Sequence, residues 1–243
     1  MFKNKKELFF FALMVIIFLL ISMAIRNNNT SEAAEQINTV IEEQITLKIN
    51  PGENIQQKID EAQDGTVIII SAGEYTIDEP IVIESRKNLI IQGDRDVWIY
   101  GDRVDFQIFL IRDSENIFIK NIKACHKIDP KTQNKKVDPK RIGSVMDIDS
   151  CKNVTLENCE LEGCGVYGVY AVNTDVLNIY GCYLHHNSWR ALGLFNTGNV
   201  MNVVLRDCTI INNADFLEKE GNIHIQFEGK NVIKDNTYKV NNN

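Results

Sequence analysis

The densest group of chemically active side chains in this 243-residue chain is the run His-His-Asn-Ser-Trp-Arg that starts at His185. A histidine can accept or donate a proton near neutral pH, and an arginine can hold a carboxylate through two hydrogen bonds. Together, a base and a cation can remove a proton next to a carboxylate and stabilise the anion that forms. His185, His186 and Arg190 are therefore candidate catalytic residues. The alternative is that they are exposed corner residues without a chemical role.

Two further groups are candidates for ligand binding. Asp147 and Asp149 can offer carboxylate oxygens to a hard cation such as Ca²⁺. Aromatic side chains on the following segments can offer flat apolar surfaces to a sugar ring, or can cover the surface of the fold. These aromatic residues are Tyr167, Tyr170, Trp189 and Phe195.

A basic run lies between residues 124 and 142. It contains Lys127, Lys131, Lys135, Lys136, Lys140 and Arg141, opposed by Asp129 and Asp138. Such a run forms either a solvated surface loop or a flap that attracts an anionic polymer, in which Lys135 and Lys136 are candidate substrate contacts. The chain as a whole has 33 acidic and 26 basic residues, which argues against a nucleic acid as its partner.

The elements that must position these residues are repeats. Segments starting at Asn88, Asn116, Asn153 and Asn202 each follow the Asn with a short β-forming run, and a related segment starts at Val176. The starts are about 28, 37, 23 and 26 residues apart. A unit of this length cannot bury its apolar face alone, so it must stack on its neighbours. Because the units have several short Val- and Ile-rich runs and no helical period, the sequence predicts an all-β, right-handed parallel β-helix solenoid.

Equivalent side chains stack along the axis of such a solenoid, so Asp147, Tyr170 and Gly193 are predicted to lie near one another. The four Asn residues that start the repeats are predicted to form a ladder of amide hydrogen bonds. Cys159, Cys182 and Cys208 each follow a repeat start by six residues and are predicted to form an inward stack of thiols.

The six cysteines have two other interpretations. An exported chain can pair them as disulfides, with Cys159 and Cys164 as one candidate pair. A zinc or copper site at Cys182, His185 and His186 is not expected, because the thiol stack already uses Cys182 and no second cluster has metal-ligand spacing.

The chain begins with a separate segment. Three lysines precede an apolar run over residues 8–25, which is just long enough to span a bilayer. Residues 1–26 are therefore predicted to be a signal anchor, or alternatively a cleaved signal peptide, and residues 27–44 a polar tether. The lysines keep the N-terminus in the cytoplasm, so residues 45–243 form one extracytoplasmic domain of a single-pass membrane protein, or a secreted domain after cleavage.

The opening of that domain resembles a known superfamily. Residues 54–62 place Ile55, Ile59 and Ala62 on one face of a short helix that would cap the open end of the solenoid. The run Gly65-Thr-Val-Ile-Ile-Ile-Ser-Ala-Gly-Glu-Tyr and the later Asn88-Leu-Ile-Ile-Gln-Gly follow. These motifs resemble the opening of the pectin-lyase-like superfamily of right-handed parallel β-helix repeat proteins.

The resemblance covers about residues 45–215 and implies work on polysaccharides, usually acidic ones, outside the cytoplasm. It leaves three functions open: binding of polysaccharide, lyase- or epimerase-type action on uronic-acid polymers, and a non-catalytic scaffold that binds other envelope proteins. In a lyase, His185 or His186 with Arg190 would carry the chemistry, and Asp147 or Asp149 would hold Ca²⁺. The paired catalytic Asp pattern of related hydrolases and the Asp-Pro-His-Asp motif of related epimerases are missing.

Overall fold

The structure, a computed structural model, describes residues 45–127, 143–163 and 166–237. The predicted anchor and tether, Lys135, Lys136 and Cys164 lie outside the described residues. Within the described ranges, no helix is long and apolar enough to span a membrane.

The described part of the chain contains one short helix and nineteen strands. The helix is α1 (Ile55–Glu61). The strands are β1 (Thr46–Ile49), β2 (Val67–Ile70), β3 (Gly73–Ile77), β4 (Ile81–Glu84), β5 (Ile90–Gly93), β6 (Val97–Gly101), β7 (Phe109–Arg112), β8 (Glu115–Lys120), β9 (Lys123–His126), β10 (Met146–Asp149), β11 (Lys152–Glu157), β12 (Glu160–Glu162), β13 (Tyr167–Val172), β14 (Val176–Tyr180), β15 (Tyr183–His185), β16 (Arg190–Arg206), β17 (Thr209–Ile211), β18 (Leu217–Glu228) and β19 (Val232–Lys234).

Every strand pairing within the described ranges is parallel, and the pairings define three faces. Face 1 runs β1-β2-β5-β8-β11-β14 and continues through the second halves of β16 and β18. Face 2 runs β3-β6-β9-β12-β15-β17-β19. Face 3 runs β4-β7-β10-β13 and continues through the first halves of β16 and β18. Because the chain visits the three faces in this order on each turn, it forms a parallel β-solenoid of about seven turns, as the repeats predicted.

Strand register confirms the repeat lengths. On face 1, Ile90 pairs with Phe118, Phe118 with Thr155, Thr155 with Asn178, and Asn178 with Val204. These steps are 28, 37, 23 and 26 residues long. The longest step contains residues 128–142, which lie outside the described residues, and the basic run begins within β9.

The corners of the solenoid place non-glycine residues in the left-handed region, where Asn and Asp cost less than other residues because their side chains can bond locally. At three corners, residues at equivalent positions on successive turns share this conformation. They are Asn88, Asn116 and Asn153 before or within face 1, Asn121 and Asn158 after it, and His186, Asn212 and Asp235 after face 2, with φ between 52° and 57°. This repeated conformation turns the chain at the same place on successive turns, although Val176 and Asn202, the later equivalents of Asn153, do not share it.

An amide ladder joins the first of these corners. The Asn116 Nδ2 donates to Asn88 Oδ1 at 2.9 Å, and the Asn153 Nδ2 donates to Asn116 Oδ1 at 2.8 Å. Asn202 does not continue the ladder, contrary to the prediction. Val176 occupies the intervening rung, and the Asn202 amide turns to the carbonyl of Val200 instead.

The interior is a continuous apolar column. Alternate side chains of every strand point inward, and the inward Ile, Leu and Val residues of β2, β5, β8, β11 and β14 are almost fully buried. Cys159, Cys182 and Cys208 form the predicted inward stack and are free thiols, as are Cys125 and Cys151. Burial raises the pKa of the Cys182 thiol well above its usual value, so this thiol stays protonated.

Helix α1 covers the first turn of the solenoid, as predicted. The Asn54 side chain accepts a hydrogen bond from the backbone N–H of Gln57 and caps the helix N-terminus. Ile55 and Ile59 are buried against the first strands. The helix therefore shields the first rung, whose apolar face would otherwise meet solvent.

Replacing Asn116 by Ala should destabilise the domain by about 2–4 kcal/mol, since it removes two amide hydrogen bonds and puts a Cβ-bearing residue without a local partner at positive φ. Denaturant unfolding measures the loss. Asn116→Gly should lose less stability than Asn116→Ala, because glycine adopts positive φ without a steric cost. Asn202→Ala, at an exposed site outside the ladder, should change stability by less than about 0.5 kcal/mol. Equal losses for Asn116→Ala and Asn202→Ala would contradict a role for the ladder.

Candidate functional site

A shallow open groove of about 280 Å³ lies on the outer surface of face 3. The strands β10, β13 and β16 place Asp147, Tyr170 and Gly193 side by side on successive turns, as the sequence predicted. The groove is lined by Gln107, Ser144, Asp147, Val166, Tyr167, Tyr170 and Phe195. Its residues come from four turns of the chain.

Three aromatic rings cross the floor of the groove. The ring centroids of Tyr167 and Tyr170 are 5.3 Å apart, and those of Tyr170 and Phe195 are 5.4 Å apart. Gly193 makes this arrangement possible, because a Cβ at that position would lie 2.6 Å from the Tyr167 ring. The absence of a side chain on one rung therefore lets an aromatic ring of the previous rung lie across it.

Asp147 forms one end of the groove. Its Oδ2 accepts a hydrogen bond from the Gln107 side chain at 3.2 Å. Burial raises the pKa of the Asp147 carboxyl, while the bond from Gln107 and the charge of Arg112 oppose that rise. A carboxyl with a raised pKa in an open groove can exchange a proton with a bound ligand.

Glu218 lies beyond the lining residues, in register with Gly193 on the next turn. Its Oε2 accepts hydrogen bonds from the Tyr167 hydroxyl at 2.8 Å and from the Trp189 indole at 2.9 Å. The same oxygen lies 2.7 Å from Arg190, which also pairs with Asp215 at 3.4 Å. These donors lower the pKa of Glu218, and burial followed by the bond to Glu218 raises the pKa of Tyr167. The Glu218 carboxylate thus fixes two aromatic rings and one cation.

Trp189 is the most exposed aromatic side chain here, with 43% of its surface accessible. The guanidinium of Arg190 lies 4.8 Å from the centre of its ring. A cation over the ring and a hydrogen bond at its edge hold the indole in one orientation while it faces solvent. Such a ring presents a rigid apolar surface to a ligand.

The predicted binding residues Tyr167, Tyr170 and Trp189 are therefore brought together, and Arg190 lies beside them. Gln107 and Glu218 belong to the same site but were not predicted. Gln107 precedes β7 outside any repeat motif. β18 begins at Leu217, before the alternating apolar run that starts at Ile223, and so carries Glu218 onto face 3.

The predicted catalytic histidines occupy a different place. His185 ends β15 on face 2, where its Nε2 lies 3.2 Å from Glu160 Oε1. Arg190 begins β16 on face 3 and contacts Asp215 and Glu218. The two histidines and Arg190 have different partners, and their joint catalytic role stays a prediction.

The predicted Ca²⁺ ligands lie on one strand. Asp147 and Asp149 both face outward from β10. Burial raises the pKa of Asp147, and the charge of Arg112 opposes that rise. Asp149 pairs in register with Arg112 and accepts a hydrogen bond from Ser150 at 2.9 Å. Ca²⁺ prefers six to eight converging oxygen ligands, whereas this strand offers two carboxyl groups beside a cation. Ca²⁺ binding at Asp147 and Asp149 stays a prediction.

Comparisons with known proteins agree on the architecture. A family model described as "Right handed beta helix region" matches residues 49–243. A solved structure titled "Geobacillus virus E2 - ORF18" is similar with a TM-score of 0.59 and 14% identity, over 83% of this chain and 43% of the viral chain. At that identity the likeness establishes the fold, and this chain spans less than half of the viral protein. No curated protein matches.

Replacing Asp147 by Asn should make the domain more stable at neutral pH. A raised folded-state pKa means that the carboxyl contributes stability below its unfolded pKa of about 3.9 and loses it as the pH rises through the folded pKa. The amide of the Asp147→Asn variant can still accept the bond from Gln107 and carries no charge. Thermal unfolding should show a higher Tm for the variant at pH 7 and a smaller difference at about pH 3.5. A lower Tm for the variant at pH 7 would show that the charge is stabilising.

Proposed function

The chain belongs to the family of the right-handed beta helix region, and on that premise we propose that it binds a polysaccharide along the groove of face 3. The parallel β-helix often carries carbohydrate-binding or carbohydrate-modifying proteins. Because a fold does not determine a function, the proposal depends on the groove itself. The observation that carries it is the row of Tyr167, Tyr170 and Phe195 between two hydrogen-bonded carboxylates.

The shape of the groove suits an extended chain. Rungs of a β-solenoid are about 4.8 Å apart, so the floor from Asp147 to Glu218 follows the axis over about 14 Å. Aromatic rings along this line offer apolar faces to the C–H surfaces of sugars, and carboxylates accept hydrogen bonds from sugar hydroxyls. An open groove admits a polymer that continues beyond both ends.

A preference for an acidic polymer has to come from residues beyond the groove. Among the described residues, Asp147, Asp149 and Glu218 oppose Arg112 and Arg190 there. These groups alone do not favour an anionic chain. The proposed attraction for an acidic polysaccharide therefore rests on the basic run of residues 124–142, with Lys135 and Lys136 as its proposed contacts.

One observation favours a polysaccharide-modifying enzyme as the second candidate. The raised pKa of Asp147 places a proton-exchanging carboxyl at the end of the aromatic floor. In this alternative Asp147 acts as the acid or base on a bound sugar. The lyase form in which His185, His186 and Arg190 act together remains part of the same alternative.

We also propose that the protein is exported and held at the membrane by residues 1–26, with residues 27–44 as tether. Support comes from the lysines before an apolar run of bilayer length. A single-pass protein of this kind would present face 3 to polymers outside the cytoplasm.

Tyr170→Ala should weaken binding to a retained polysaccharide about tenfold, because it removes the central ring of the floor. Affinity electrophoresis of the full chain in detergent micelles, against a panel of acidic and neutral polysaccharides, measures the dissociation constant. Tyr100→Ala is the matched control, since Tyr100 lies on β6 of face 2. Retention that both substitutions weaken equally would contradict the groove, and no retention by any polymer would point to the protein scaffold.

Incubation with uronic-acid polymers separates binder from enzyme. A lyase leaves an unsaturated uronate, which absorbs in the ultraviolet. For a binding protein we expect constant absorbance with every polymer that is retained. A rise in absorbance that Asp147→Asn abolishes would establish the enzyme instead.

Cell fractionation tests the location. The full chain should remain in the membrane pellet after an alkaline wash, and protease added to intact spheroplasts should degrade residues 45–243. N-terminal sequencing then distinguishes an uncleaved anchor from a cleaved signal peptide. A soluble, protease-protected chain would contradict the proposed export.

A further inference from the structure

A cluster of metal-ligating side chains lies at the corner that follows face 2, apart from the groove. Glu162, His185 and His186 each offer a ligand atom, and these atoms lie within 4.8 Å of one another. Glu162 and His185 are register neighbours on β12 and β15. His186 is the next residue, at the corner itself. Within the described ranges, no other group of three or more such residues meets this spacing.

Hydrogen bonding determines how the His185 ring is protonated. Its Nε2 lies 3.2 Å from the Glu160 carboxylate, which can only accept, so Nε2 carries the proton. Its Nδ1 then has an available lone pair, and this lone pair faces His186 Nδ1 at 2.7 Å. A carboxylate that accepts from one ring nitrogen while the other nitrogen faces a ligand site is the usual arrangement behind a metal-bound histidine.

The surroundings keep His185 in this state. It is 5% exposed, and its ring stacks on Tyr183 with centroids 3.8 Å apart. The ring is therefore fixed in one orientation, with Nδ1 directed toward His186, as a metal ligand requires.

Left-handed geometry at position 186 permits a histidine without requiring one, because Asn, Asp and His are all enriched in that region. The equivalent corner residues on the next two turns are Asn212 and Asp235, and all three have positive φ. On the preceding turn stands Gly163, where a Cβ would lie 2.8 Å from the His186 carbonyl oxygen. Among these four turns, only the turn of His186 carries an imidazole at this corner, and that imidazole is directed at a second one.

We propose that Glu162, His185 and His186 form a binding site for a borderline-soft divalent ion of the Zn²⁺ class. The two Nδ1 atoms and one Glu162 oxygen supply three ligands, and a fourth position faces solvent at the exposed His186. On binding, His186 changes tautomer and carries its proton on Nε2. Nitrogen ligands favour Zn²⁺ over Ca²⁺ and Mg²⁺, which prefer sets of oxygens.

The fit requires one small movement. Zn–N bonds of about 2.0–2.1 Å in tetrahedral geometry separate two ligand nitrogens by about 3.3 Å. The present separation is 2.7 Å, the length of a hydrogen bond. Rotation of the exposed His186 ring opens this gap while Glu160 and Tyr183 hold His185 in place.

Metal titration of the full chain in micelles tests the site. After treatment with a chelator, the protein should bind one equivalent of Zn²⁺ by calorimetry, and Co²⁺ should give the visible bands of a tetrahedral complex. His186→Asn removes a ligand but retains a residue type that suits positive φ, and it should weaken Zn²⁺ binding by more than about 100-fold. His224→Asn is the matched control, because His224 is an exposed histidine of β18, and it should bind as the unmodified protein does.

Glu160→Gln tests the positioning role of Glu160. This variant should bind Zn²⁺ about 10–100-fold more weakly and keep the same Co²⁺ bands, since the ligands are unchanged. Glu162→Gln should weaken binding and change the bands. Failure of the unmodified chain to bind Zn²⁺, or equal affinity in His186→Asn and His224→Asn, would overturn the proposal. Neither result bears on polysaccharide binding at face 3.

Discussion

The left-handed residues that recur at the corners are the constraint on which the rest of the structure depends. Parallel strands stack in register when successive turns change direction at the same place, and Asn88, Asn116 and Asn153 do this with nearly the same φ. Their amides bond from rung to rung, so the residue that bends the backbone also fixes the spacing of the turns. Strand register, core packing and the position of every outward side chain follow from these corners.

Stacking of turns explains how both candidate sites are built. A residue's outer neighbours are the register-equivalent residues one turn earlier and one turn later, not those next to it in sequence. Asp147, Tyr170 and Gly193 meet in this way on face 3, and Glu162 meets His185 on face 2. A glycine on one turn therefore makes space for a side chain of the adjacent turn. A histidine on one turn adds a ligand to a site that the adjacent turn shares.

The repeat pattern was sufficient to predict the solenoid, the capping helix, the thiol stack and the meeting of Asp147 with Tyr170. Each of these depends only on counting residues from one repeat start to the next or on the apolar face of one short helix. The pattern failed where one rung departs from the repeat. Val176 breaks the amide ladder before Asn202, and β18 starts earlier than its apolar run indicates and brings in Glu218. The partners of His185 could not be predicted from its own segment, because Glu160 and Glu162 lie one turn earlier.

The thiol stack has a consequence for the environments in which the fold can exist. Burial raises the pKa of Cys182 and of Cys208, whereas a hydrogen bond with the Cys182 thiol lowers the pKa of Cys159. These side chains pack as small apolar groups between carbonyls of the corner, and no covalent bond between them supports the turns. This part of the core therefore contributes its stability without an oxidising environment, and the solenoid can form in a reducing compartment.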